Sequence, residues 1–122
     1  MVAMEPLDPL VPITQQLDAT VSPVVLINIF TVDAADVDAL LGAWEQDANW
    51  MKKQPGYIST QLHQGIAGSC TFLNYAVWES VAHFRSAFTS PEFSSALSAY
   101  PSSTVARPHL FSRVAMPNLC TS

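Results

Sequence analysis

Apolar residues along this chain recur with two different periods, and the change of period marks its elements. Val24 to Val32 (VVLINIFTV) is a β-branched and aromatic run, which predicts a strand buried on both faces. Its one polar intruder, Asn28, shares a face with Val24, Leu26 and Phe30. From Val37 the apolar residues switch to helical spacing, with Val37, Leu40, Leu41, Trp44, Ala48 and Met51 on one stripe. Asp33 is placed to cap this helix, and Pro55-Gly56 to stop it. Trp44 and Trp50 read as core or interface residues.

Period-2 alternation returns at Tyr57–Gln64 and again at Thr71–Trp78, joined by a Gly65–Gly68 turn, which predicts a hairpin. In the first of these strands Ile58, Thr60 and Leu62 point one way, and Tyr57, Ser59, Gln61 and His63 the other. In the second, Leu73, Tyr75 and Val77 take one face, and Asn74, Ala76 and Trp78 the opposite one. Ser80 then caps a helix carrying Val81, Phe84 and Phe88. Ser90-Pro91 starts a second helix, with the proline at its first position. Pro108 introduces a last strand over 109–116. Residues 1–22 hold Pro6, Pro9 and Pro12 with no clear period and read as an extended arm, not an element of the core, while Leu7, Leu10, Val11 and Ile13 are too apolar for a free tail and lay it on the domain or on a partner subunit. Residues 117–122 form a tail.

The order β-α-β-β-α-β over residues 23–116 is that of a ferredoxin-like α+β domain, a four-stranded antiparallel sheet with helices on one face. Leu73, Tyr75 and Val77 then need another cover, and a homodimer packed face to face through the sheets supplies it.

Composition narrows the possible roles. Hydrophobic residues make up 49% of the 122 and charged ones only 12%, so an oligomer or a sizeable cavity is expected to bury apolar surface. A net charge of −5 with five Lys and Arg gives no basic patch, which argues against nucleic acid and anionic membranes. Cys70 and Cys120 match neither a disulfide framework nor a metal spacing. No secretory leader or membrane-spanning run is seen, so a cytoplasmic protein is expected. No phosphate cradle for a nicotinamide or flavin is present, and His63, His83 and His109 are not spaced as a zinc site.

What remains is a set of amides, aromatics and one histidine. Asn74 and Trp78 share a strand face and could orient a flat ligand, or Trp78 could be core while Asn74 satisfies a neighbouring backbone group. Asn28 reads equally as a satisfied structural amide or as a second pocket-lining one. His63 could act as a base or sit solvated at its strand end. Arg113 is a further candidate on the last strand.

The strand VVLINIFTV, the junction MKKQPGYISTQLHQ and the block FLNYAVWESVAHFRSAFTSPEF resemble the antibiotic biosynthesis monooxygenase family over about residues 22–116. The resemblance implies a dimeric α+β barrel. Members include oxygenases that oxidise anthrone-like and quinol-like aromatic polyketides with molecular oxygen and without metal or flavin; others degrade haem. It implies that Asn74 and Trp78, and with them Asn28, line a cavity between sheet and helices. Asn74, Trp78 and His63 are then the candidate catalytic residues, and Asn28, Phe30, Phe84, Phe88, Phe93 and Arg113 the candidates for holding a small polycyclic aromatic substrate. Phe84 stands where the oxygenases can have a tyrosine, and Leu97 where haem-degrading relatives have their axial histidine, which speaks against haem. The expected activity is oxidation of a phenol or anthrone to a quinone with no cofactor. A polyketide cyclase or a hydrophobic-metabolite carrier on the same barrel is the alternative.

Overall fold

A computed structural model of the chain describes residues 2–122. Five strands form one sheet in the order β1-β5-β2-β4-β3: β1 (Ala3–Met4), β2 (Val24–Thr31), β3 (Tyr57–Gln64), β4 (Thr71–Trp78) and β5 (Val105–Phe111). The four long strands pair antiparallel, while the short β1 runs parallel to β5. Helices α1 (Ile13–Gln16), α2 (Val37–Met51), α3 (Val81–Phe88) and α4 (Pro91–Leu97) complete an α+β fold. The ferredoxin-like expectation holds, with a mixed sheet of five strands in place of four.

The arm accounts for the fifth strand and is part of the core. Val2, Ile13 and Leu17 are buried, the last two in one cluster with Leu26, Trp78 and Phe84. The arm lies along the outer edge of β5, where the Glu5 N–H donates to the Ala106 carbonyl at 3.0 Å. Further along the same edge, the Gln16 carboxamide accepts from the Leu110 N–H and donates to its carbonyl, both at 2.9 Å. A single side chain thus does for Leu110 what a neighbouring strand would do, and the edge is closed.

This geometry also explains why β5 begins and ends earlier than expected. Pro108 lies midway between Ala106 and Leu110, so its nitrogen points to the outer edge, where no ladder bond is lost. The strand therefore runs through the proline, and residues 112–116 lie exposed beyond it.

A second departure concerns β3. Its register with β4 shifts between Tyr57 and Ser59, leaving Tyr57 opposite Trp78 and Thr60 opposite Ala76. This bulge breaks strict alternation, so Tyr57 shares a face with Thr60 and Leu62 while Ile58 is left exposed. Gly56 allows the tight approach to it: its φ is +87°, and a Cβ there would lie 2.3 Å from that of His83.

Ser80 and Ser90 accept from the backbone N–H of His83 and Phe93, the expected caps. Asp33 does not cap with its side chain; a 3₁₀ turn (Ala34–Asp36) intervenes, and the Asp36 carboxylate accepts from the Ser103 hydroxyl at 2.7 Å.

The sheet has two unlike faces. Val24, Leu26, Phe30, Phe72, Ala76 and Trp78 are buried under the helices. On the other face Leu73 and Val77 are only half-buried and Tyr75 is exposed.

Candidate functional site

Register places the candidate amides side by side. Asn28 of β2 is directly opposite Asn74 of β4, and this row continues to Pro108 of β5 and Leu62 of β3. Directly paired positions hold their Cβ atoms about 5 Å apart, so the two carboxamides form one polar strip in an otherwise apolar floor. The Thr60 hydroxyl donates to Asn74 Oδ1, which fixes that oxygen and turns the NH₂ end toward other acceptors. Asn28 Oδ1 is buried and has no partner in the protein. An acceptor left in that state costs about 1–3 kcal/mol unless a ligand or water meets it.

Between this floor and the helices lies a cavity lined by both asparagines and by aromatic groups from four directions. Its volume, taken as the space open to the centre of a water-sized sphere, is about 50 Å³, above the minimum that holds a water. Trp78 closes one end, set edge-on between Tyr57 and Phe84 with ring centroids 5.7 Å from each. Phe88 and Phe93 continue the series at 5.0 and 5.2 Å. At the other end Phe30 stacks on Tyr100, 5.9 Å between centroids and 10° between planes. Trp44, Asp47, Ala48 and Met51 of α2 form the roof.

Of the residues expected here, Asn28, Phe30, Asn74, Trp78, Phe84, Phe88 and Phe93 all line this one cavity. Two do not. His63 pairs with Leu73, on the open face of the sheet, where its Nδ1 lies 3.3 Å from the Leu73 carbonyl. A base in that position is separated from the amides by the sheet itself. Arg113 falls past the end of β5 and is exposed, because the strand ends two residues before it.

Two residues that the sequence reading passed over take part. Tyr100 lies past α4, outside any helix or strand, yet it is 2% exposed and its hydroxyl donates to Asp47 Oδ2 at 3.0 Å. Asp47 sits three residues from Trp44 and four from Met51, on the inward stripe of α2. A carboxylate at that spacing was the available signal. Burial pushes its pKa up from 3.8 to about 6, against the opposing hydrogen bond from Tyr100. The Tyr100 phenol is raised by burial and by the Asp47 charge beside it.

The model of the antibiotic biosynthesis monooxygenase family matches residues 23–99. The chain belongs to this family. A protein from Shewanella loihica PV-4, provisionally named a monooxygenase, is 34% identical and superposes with a TM-score of 0.68 over 80% of this chain and 99% of its own. SnoaB, a cofactor-independent oxygenase from Streptomyces nogalater, shares the fold at the same TM-score and coverage with 22% identity. A further antibiotic biosynthesis monooxygenase-type structure, from Caulobacter crescentus CB15, has 14% identity and a TM-score of 0.65, with 77% of this chain and 92% of that one covered. No curated protein matches. The family match takes in β2, α2, the β3–β4 hairpin and both later helices, and so most of the cavity. It stops short of β5 and omits the arm, which add Met4, Ala106 and Pro108 to the wall.

Proposed function

We propose that this member of the monooxygenase family is a cofactor-independent oxygenase converting a flat, electron-rich phenol or anthrone to a quinone. The observation that carries this reading is the paired amides: Asn28 and Asn74, opposite each other on the floor of an aromatic-walled cavity, with the Asn28 oxygen buried and unpartnered. Aromatic walls suit a fused ring system, and a hydroxyl on that ring would supply the donor that Asn28 Oδ1 lacks. The printed description of SnoaB as a cofactor-independent oxygenase supports the same chemistry.

In this reading the ring sits against Trp78, Phe84 and Phe88, with its oxygen substituent over the amides. Loss of a proton from an anthrone leaves an electron-rich anion with charge on the ring oxygen. The Asn74 NH₂ group and the Trp78 indole N–H donate to that oxygen. The anion passes one electron to dioxygen, and the radical pair combines to a peroxide. The peroxide loses water to give the quinone, so one anthrone and one O₂ yield one quinone and one H₂O. The working form is a cytoplasmic homodimer, its sheet faces meeting through the apolar side of β4.

The test is oxygen uptake by chelator-treated protein with anthrone, alongside anthraquinone formation. One quinone per oxygen is expected. Asn74→Ala and Trp78→Phe should each stay folded and lose up to about 10²-fold in rate. Binding of anthrone with no oxygen uptake and no quinone would instead identify a carrier or a cyclase on this fold.

A further inference from the structure

The cavity holds a single carboxylate, and the chemistry above leaves it unused. Asp47 enters from the α2 roof, across the space from the amide strip. Its Oδ2 is held by the Tyr100 hydroxyl at 3.0 Å, while its Oδ1 is buried and has no partner. The only other titratable side chains on the cavity wall are Tyr57 of β3 and Tyr100, which follows α4; no Lys, Arg or His among the described residues lines it. Asp47 therefore has no cation to pair with, which removes the usual structural reason for burying a carboxylate. An asparagine would accept the same Tyr100 bond without the cost of burying a charge.

We propose that Asp47 is the proton acceptor of this site, a catalytic residue whose free Oδ1 faces the substrate and whose orientation is set by Tyr100, a positioning residue. The proposal rests on the oxygenase reading for its substrate class: a ring system carrying an acidic C–H or O–H group that enters between Asp47 and the amides. With anthrone, the C–H bond of the central methylene breaks and its proton passes to Asp47 Oδ1. The electron pair delocalises through the ring onto the carbonyl oxygen, where the Asn74 and Trp78 donors wait. No oxidant enters this step. A carboxyl whose pKa is pushed up to about 6 is ionised at neutral pH and remains a stronger base than an exposed aspartate.

Because the step precedes oxygen, it can be read without it. In deuterated buffer under anoxic conditions, the wild-type protein should speed exchange of the anthrone methylene protons, with a rate that rises through about pH 6 and then levels. Asp47→Asn should lower that rate by 10²-fold or more, on the order expected for a lost general base, and erase the step in the pH profile. Asp47→Glu should restore part of it. Tyr100→Phe should move the step upward in pH, since the bond it removes favours the ionised carboxylate; a tyrosine that only packs would leave the step in place. Melting curves of each variant separate loss of chemistry from loss of fold, and the Glu variant keeps the charge if Asn disturbs packing.

Exchange at the wild-type rate and profile in Asp47→Asn overturns the assignment, as does a wild-type protein that does not speed exchange. Asp47-dependent exchange without oxygen uptake in air upholds the base and overturns the oxygenase reading. Oxygen uptake whose pH profile Asp47→Asn leaves unchanged does the reverse.

Discussion

Replacing Asp47 by asparagine removes a charge and almost no volume, so its effect on stability is set by titration. The folded carboxyl holds its proton up to about pH 6, whereas the unfolded one releases it near 3.8. Between those values the unfolded chain binds fewer protons, so stability falls as pH rises. At about 1.4 kcal/mol per pH unit the loss approaches 3 kcal/mol above pH 6. Thermal melting of the wild type should therefore show this decline, and Asp47→Asn should flatten it and melt higher at pH 7. A variant that melts lower at pH 7 would mean that the carboxylate stabilises the fold. At this scale the sequence was readable where strand parity decides a residue's face. Asn74 and Trp78 were placed on one face by period 2 alone, and Asn28, on another strand, joined them through the family resemblance. His63 was misplaced, since parity on β3 sets it apart from Thr60 and Leu62 but does not say which of the two faces the helices cover. Asp47 was missed because a polar residue on a helix is assumed to face water, although its spacing to Leu40, Trp44 and Met51 placed it inside.

Among the elements, the arm departs furthest from expectation, and Gln16 is where its contribution can be measured. Gln16→Ala would strip the Leu110 N–H and carbonyl of their partner and leave His109 Nε2, now 3.1 Å from the Gln16 amide, without it. A loss of about 1–3 kcal/mol is expected in denaturant melts. Removing residues 2–17 should cost more, because Val2, Ile13 and Leu17 leave the core and the β5 edge opens; lower solubility should accompany the lower midpoint. No change in midpoint would mean that the arm merely rests on the domain. Composition showed that the arm is too apolar to be free, but prolines and the absence of a period do not say that it pairs with β5 or enters the core. The same limit applies to β3 and β5. A bulge at Tyr57–Ser59 and an edge-facing proline at 108 depend on neighbouring strands, and neither leaves a period in its own segment.

For the molecule as a whole, the half-buried sheet face is the feature with most bearing on assembly. Tyr75 and Phe111 are 38% and 39% exposed and lie with Leu73 and Val77 on that side. Light scattering should give about twice 13.3 kDa. Val77→Asp, which sets a charge in the middle of the face, should yield monomers that retain their helical signal. A wild-type monomer at micromolar concentration would overturn the dimer. The one-sided burial of the sheet was the most legible feature of all, because it follows directly from helices that can cover only one side of a sheet.

The pairing of Ala3 with Val105 also orders events during synthesis. Roughly a hundred residues separate the two, so at about 5–20 residues per second the arm leaves the ribosome on the order of 5–20 s before the strand it needs. In that interval Val2 lacks the Ala106 part of its cluster, and the far wall of the cavity, made of Met4, Ala106 and Pro108, cannot exist. The site is thus completed last, by the two most distant parts of the chain meeting. Until then a nascent chain can carry both amides in register beneath a cavity that is still open on one side.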